Sequence, residues 1–175
     1  SEMFATVLCG MIDIGVGTVS FASAGHDPPI VLRADGRTEQ PPMETGPALG
    51  FDADGEYPEW HLRLRHGEGV LCFTDGLSEA ADANAQEFGV GGIAAALAGT
   101  PGRTAGELLA HLTRQVRQHL GGLPAHDDLT VLCLRRPLPL PSATPAVPAP
   151  PPPIVLEMPN RISVLPVLSA AMDDA

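Results

Sequence analysis

Val70-Leu71-Cys72-Phe73-Thr74-Asp75-Gly76 decides how this chain is read. Four apolar residues in succession, with no polar alternation, describe a strand buried on both faces. The run stops at Thr-Asp-Gly, so a carboxylate is presented where a core strand meets a turn. Further along, Ala125-His126-Asp127-Asp128-Leu129-Thr130 leads directly into a second apolar run, Val131-Leu132-Cys133-Leu134. If both strands lie centrally in one sheet, Asp75 and Asp127 converge at its end. Carboxylates placed there suit a hard divalent cation such as Mg²⁺ or Mn²⁺, because a bound cation removes the cost of holding like charges close together. Taken alone, each aspartate is better read as an ordinary strand-end turn residue, and only the two together favour a metal. Two carboxylates also fall short of the about six oxygen ligands such ions take. Asp13, Asp27, Asp52 and Glu79 are further acidic residues in turn-like settings, and Glu79 lies one helical turn beyond Asp75 if a helix starts there.

Around these two runs the pattern is strands, then helices, then a strand. Residues 4–12 (FATVLCGMI) form an apolar strand candidate, Asp13 to Gly17 a turn, and Thr18 to Ala24 the returning strand of a hairpin. Ile30 to Arg33 make a short third strand, and residues 38–56 read as loop. Trp60, Leu62 and Leu64 alternate with His61, Arg63 and Arg65, the period of a strand with one wet face. A helix is predicted over about residues 90–98. A second starts at Thr104, where Glu107 completes a capping box, buries Leu108, Leu112 and Val116, and ends at Gly121-Gly122. The last core strand is Leu129 to Leu134. This order describes an α+β fold in which helices cover one face of a mostly antiparallel sheet.

The 175 residues allow one domain with a real core and the edge of a second. The net charge is −11 at pH 7, the ten basic residues are all arginine, and this acidic balance argues against nucleic acid as the main partner. Cys9, Cys72 and Cys133 each sit in an apolar run without zinc-ligand spacing, and read as buried free thiols suited to a reducing cytoplasm. No stretch reaches the ~20 apolar residues of a membrane span, and no signal-peptide pattern is present. The Ser1-Glu2-Met3 start fits a chain that begins inside a longer one.

Composition changes at Pro137. Residues 137–153 (PLPLPSATPAVPAPPPP) read as a stiff polyproline linker, with a recognition peptide for a proline-binding domain as the alternative. Residues 154–175 then open a second domain or form a tail that docks back on the first, residues 1–136. Among the histidines, His26 in Gly25-His26-Asp27-Pro28-Pro29 and His126 beside Asp127 are conceivable acid–base or water-contacting groups. For His26 the plainer reading is a loop histidine bonded to backbone. No nucleophile elbow, phosphate-binding loop or dinucleotide fingerprint occurs.

Several ordered motifs together carry a resemblance over residues 3–135: Met3-Phe4-Ala5-Thr6, Ala24 to Pro29 (AGHDPP), Pro47-Ala48-Leu49-Gly50, Gly67 to Gly76 (GEGVLCFTDG), Glu79-Ala80, Glu87-Phe88-Gly89 and Asp127-Asp128-Leu129-Thr130. The chain resembles the C-terminal half of the sporulation-type (SpoIIE/RsbU-like) serine phosphatase domain, the bacterial branch of the metal-dependent PP2C-like protein phosphatases. The resemblance implies a two-sheet αββα sandwich with Mn²⁺ or Mg²⁺ held by aspartates between the sheets. It also implies in-line attack of metal-bound water on phosphoserine or phosphothreonine. Carried over, Asp75 and Asp127 are metal ligands and the catalytic residues. Asp128, at a position that is Asn in the wider family, is a supporting residue, as are Gly76, Thr74 and Thr130.

The implied partner is a phosphorylated anti-anti-sigma-type protein, which binds an anti-sigma kinase once dephosphorylated. Residues 154–175 faintly resemble the start of such an anti-sigma-type ATPase domain. The family's first-half motifs, an Asp-Gly that bridges both metals and an earlier acidic residue, have no counterpart here. The expectation is therefore a partial domain, inactive alone and weak in metal binding, which covers its open sheet by homo-oligomerising. The competing reading is a noncatalytic phosphatase-like module that binds a signalling partner.

Overall fold

The computed structural model describes residues 3–139, so the linker beyond Pro139 and the expected second domain lie outside the described residues. Seven strands and three helices follow one another as β1 (Val7–Asp13), β2 (Thr18–Ala24), β3 (Ile30–Leu32), β4 (Thr38–Glu39), β5 (Trp60–Arg63), β6 (Gly69–Phe73), α1 (Asp75–Ser78), α2 (Gly89–Leu97), α3 (Ala105–Leu120) and β7 (Val131–Arg135). They form two antiparallel sheets, one in the order β1-β2-β5 and the other in the order β4-β3-β6-β7.

Local chemistry sets the turns. In the β1–β2 hairpin the Asp13 carboxylate accepts the Gly15 and Val16 amides at 2.9 and 3.0 Å, an Asx turn that reverses the chain. At α3 the capping box forms as the sequence predicts: Thr104 Oγ1 accepts the Glu107 amide, and the Glu107 carboxylate accepts the Thr104 amide at 2.8 Å. Gly121, at φ 59°, closes the helix in the left-handed conformation.

Two apolar layers hold these elements. Val19, Phe21, Leu62 and Leu64 meet Val31 and Val70 between the sheets. On the far side of the second sheet, Ile30, Leu32, Leu71, Phe73 and Cys133 meet Ile93, Leu97, Leu108, Leu112 and Val116 of α2 and α3. Each of these fully buried side chains contributes roughly 1.5–3 kcal/mol relative to exposure. β6 belongs to both layers, which is why its sequence shows no polar alternation.

The first sheet carries no such cover among the described residues. The expected apolar strand at 4–12 begins at Val7, with only an isolated bridge from Ala5 to Leu49 before it. Instead of joining the core, β1 is exposed along nearly its whole length. Met11 is 70% exposed, and Cys9, expected to be buried, lies open on the same face. A short strand, β4, occurs in the stretch read as loop, because Thr38 and Glu39 pair with Leu32 and Val31 across the Asp35-Gly36 turn.

Candidate functional site

β6 and β7 are neighbours, with Phe73 opposite Val131, so the segments carrying Asp75 and Asp127 meet at one end of the second sheet. β7 is the edge strand of that sheet among the described residues, not a central strand as the sequence argument supposed. Thr74 ties the two segments together. Its amide donates to Thr130 O, its hydroxyl donates to Asp128 O, and the same hydroxyl accepts the Thr130 amide, all at 3.0 Å. A one-turn helix, α1, starts at Asp75 with Thr74 as its N-cap residue, and Glu79 closes it by donating its backbone N–H to Asp75 O at 2.8 Å.

Gly76 is required by close approach. A Cβ at this position would stand 2.7 Å from Asp128 O and 3.1 Å from Asp128 C. The missing side chain lets the 127–128 backbone pass directly over the start of α1. The carboxylates are oriented locally: Asp75 Oδ1 accepts the Gly76 amide at 2.9 Å, and Asp127 Oδ1 accepts the Asp128 amide at 2.7 Å. Both side chains are exposed, as is Asp128. Each therefore keeps free oxygen lone pairs toward solvent, the condition for ligating a hard cation.

The donor set is nevertheless incomplete. Among the described residues no group of three or more His, Cys, Asp or Glu side chains could hold a metal. Asp13 belongs to the β1–β2 hairpin turn at the opposite end of the sandwich, where it pairs with Thr18 and Thr18 pairs with Arg63 of β5. Asp52 orients an exposed turn through the Asp54 amide. Glu79 is exposed at the end of α1. These residues do not complete a binuclear centre, so no step through a metal follows from them.

His26 does reach this end of the molecule. It lines a crevice of about 360 Å³ between the sheets together with Phe73, Thr74 and Thr130. Its ring Nδ1 lies 2.9 Å from Asp27 O, and its backbone is fixed by Ser23 Oγ, which donates to His26 O at 2.7 Å. It is thus the backbone-bonded loop histidine of the plainer reading, placed beside the candidate site. His126 is exposed next to Asp127. The inner residues of β1, Leu8 and Ile12, form the other wall of the crevice, which opens between the edge strands β1 and β7.

A profile of the family described as Stage II sporulation protein E (SpoIIE) matches residues 1–137. The chain belongs to the SpoIIE family. Protein IcfG of Synechocystis sp. is 30% identical over 135 residues, which make up 77% of this chain and 21% of that protein. The RsbU and RsbW domains of Rv1364c from Mycobacterium tuberculosis share 26% identity at a TM-score of 0.58, over 80% of this chain and 38% of that one. The phosphatase domain of the cell fate determinant SpoIIE from Bacillus subtilis, from a manganese-presoaked crystal, shares 18% identity at a TM-score of 0.62, over 78% and 59% of the two chains. This last likeness is one of fold. The SpoIIE-family chain is an α+β sandwich of the PP2C-like αββα kind, and its described residues hold both sheets with helices on one outer face. It spans about a fifth of IcfG, 38% of the Rv1364c chain and 59% of the SpoIIE phosphatase-domain chain.

Asp75, Asp127, Gly76, Thr74 and Thr130, singled out from sequence, all lie at this end of the second sheet. That the Thr74 hydroxyl serves both segments at once was not found from sequence. A hydroxyl that can donate and accept, one residue before the aspartate, is the signal that could have pointed to it.

Proposed function

We propose that this chain forms part of a metal-dependent phosphatase domain that hydrolyses phosphoserine or phosphothreonine on a regulatory protein. In this reading Asp75 and Asp127 are two of the carboxylates that hold Mn²⁺ or Mg²⁺, and the polypeptide that completes the domain supplies the rest. The Thr74 clamp carries the proposal: one hydroxyl and the space left by Gly76 bring two solvent-facing aspartates to the same end of adjacent strands. Family membership and the manganese-presoaked relative support the choice of ion. When bound, the ions would supply the activated water and neutralise charge on the phosphoryl group. The residues of this chain fix the carboxylate positions, with Asp128, Thr74 and Thr130 in support.

The substrate in this proposal is a phosphorylated anti-anti-sigma-type protein, with an anti-sigma kinase downstream. The exposed β1 and the open crevice support a surface that is covered by the remainder of the domain or by a second copy of the chain. Phosphopeptide hydrolysis in Mn²⁺ tests the reading, comparing this chain with the full-length protein and its Asp75→Asn variant. We expect turnover only by the unsubstituted full-length protein. Robust turnover by the 175-residue chain alone would overturn the need for added ligands. An inactive full-length protein would favour the noncatalytic interaction module instead.

A further inference from the structure

The end of the sandwich away from the aspartates is rich in arginine. Opposite the aspartates, a cleft of about 1020 Å³ opens between β4 and β5, the edge strands on the other side from β1 and β7. Five of the chain's ten arginines line it: Arg33, Arg37, Arg63, Arg65 and Arg136. Its three carboxylates are already engaged. Asp35 pairs with Arg37 at 2.7 Å, Glu39 pairs with Arg33, and the buried Glu68 accepts the Arg65 amide at 2.9 Å while facing Arg33 at 3.5 Å. Among the described residues, no carboxylate lies within 4.0 Å of the guanidinium groups of Arg63, Arg65 or Arg136. Arg136 is held in place by the carbonyls of Val16 and Leu64 at 2.6 and 2.9 Å. A concentration of unpaired cations on a chain of net charge −11 is the opposite of what even dispersal of charge would give.

We propose that this cleft is a docking site for an extended acidic segment of a partner protein. Arg63 and Arg65 are exposed and two residues apart, while Leu62 and Leu64 between and beside them point into the core. Side chains at that spacing stand roughly 6.5–7 Å apart, the interval between alternate residues of an extended peptide. The flanking edge strands β4 and β5 offer backbone groups to such a peptide, and guanidinium groups bind carboxylates through paired hydrogen bonds. The cleft has no Phe, Tyr or Trp in its lining on which a nucleic-acid base could stack, and the one ring there, His66, has its Nδ1 2.8 Å from Pro137 O.

Fluorescence anisotropy with a labelled peptide of alternating glutamate and valine, at low salt, tests the proposal on the full 175-residue chain. Saturable binding is expected, weakened roughly tenfold or more in the Arg63→Ala/Arg65→Ala double variant, as loss of two charge-assisted contacts requires. Binding should persist in the Arg114→Ala/Arg117→Ala control on the exposed face of α3. Both variants change exposed side chains, and their thermal midpoints report whether the fold is intact. A glutamine-for-glutamate peptide, which needs no variant protein, should not bind. The proposal is overturned if no saturable binding occurs, if the double variant binds like the control, or if the glutamine peptide binds equally. Tighter binding of a single-stranded 12-mer oligonucleotide than of the acidic peptide would assign the cleft to nucleic acid and overturn it too.

Discussion

The two sheets of this protein have nearly the same local ingredients and opposite fates. The β4-β3-β6-β7 sheet buries one face on α2 and α3 and the other on its partner sheet. The β1-β2-β5 sheet buries only its inner face, and Met11 on β1 remains 70% exposed. The β4-β3-β6-β7 sheet is therefore stabilised on both faces by its own chain, whereas the β1-β2-β5 sheet has no cover on its outer face among the described residues. Strand propensity makes β1 a strand, and tertiary cover determines whether a strand becomes core.

The sharpest way to break this comparison is truncation of matched apolar residues in the two sheets. Leu71→Ala, at a fully buried position packed under the helices, should cost about 2–5 kcal/mol in urea unfolding. An unfolding midpoint near that of the unsubstituted chain would show that the helix-covered sheet is not the stable half. Next in size, Gly76→Ala forces a Cβ against Asp128 O at 2.7 Å and should cost about 1–3 kcal/mol by overpacking. In the full-length protein the proposed phosphatase activity should fall as well, because the 75 and 127 segments must separate. Full activity with unchanged stability would mean the clamp can relax freely.

A smaller effect concerns the thiols. Burial pushes Cys72 up to about 11 and Cys133 up to about 12. In the unfolded chain both ionise near 9.0, so above that pH the unfolded state has released protons that the native state retains. Stability should fall as pH rises from about 9 toward 11–12, and Cys133→Ala should reduce the slope. Alkylation at pH 8 adds a direct contrast: Cys9 on the bare sheet should react first and Cys133 last, and equal rates would erase the distinction. Thr104→Ala should cost about 1 kcal/mol through loss of the capping box. The smallest effect expected is for Met11→Ala, within about 0.5 kcal/mol in this chain. A larger loss would reveal that β1 is covered in solution, as by a second copy.

Much of this was legible in the residues. The capping box at Thr104, the stripe of Leu108, Leu112 and Val116, and the unbroken apolar run before Asp75 each have a local physical cause, and each appears as expected. The environment of β1 was not legible, since an apolar sequence states a need for cover without stating what covers it. β4 escaped because two residues between turns have no periodicity to detect. At the site, the strand-end placement of Asp75 and Asp127 followed from sequence. The shared bonds of Thr74 depend on register between segments distant in the chain, which no short pattern encodes. The basic cleft was equally hidden: Arg63 and Arg65 read only as a wet face, and Arg33, Arg37 and Arg136 join them through folding alone.

Arg136 also has a mechanical consequence. Its guanidinium joins the β1–β2 turn to the stretch after β5, and it immediately follows β7, an edge strand with one neighbour. Tension arriving through the proline-rich segment would load this arginine before it reached the Gly69–Arg135 pair. Once the arginine lets go, β7 would peel from β6 one rung at a time, from Arg135 back toward Val131. The last rungs to part would lie beside Thr74, so a pull on one end of the molecule would be felt at the aspartates only after the other end had opened.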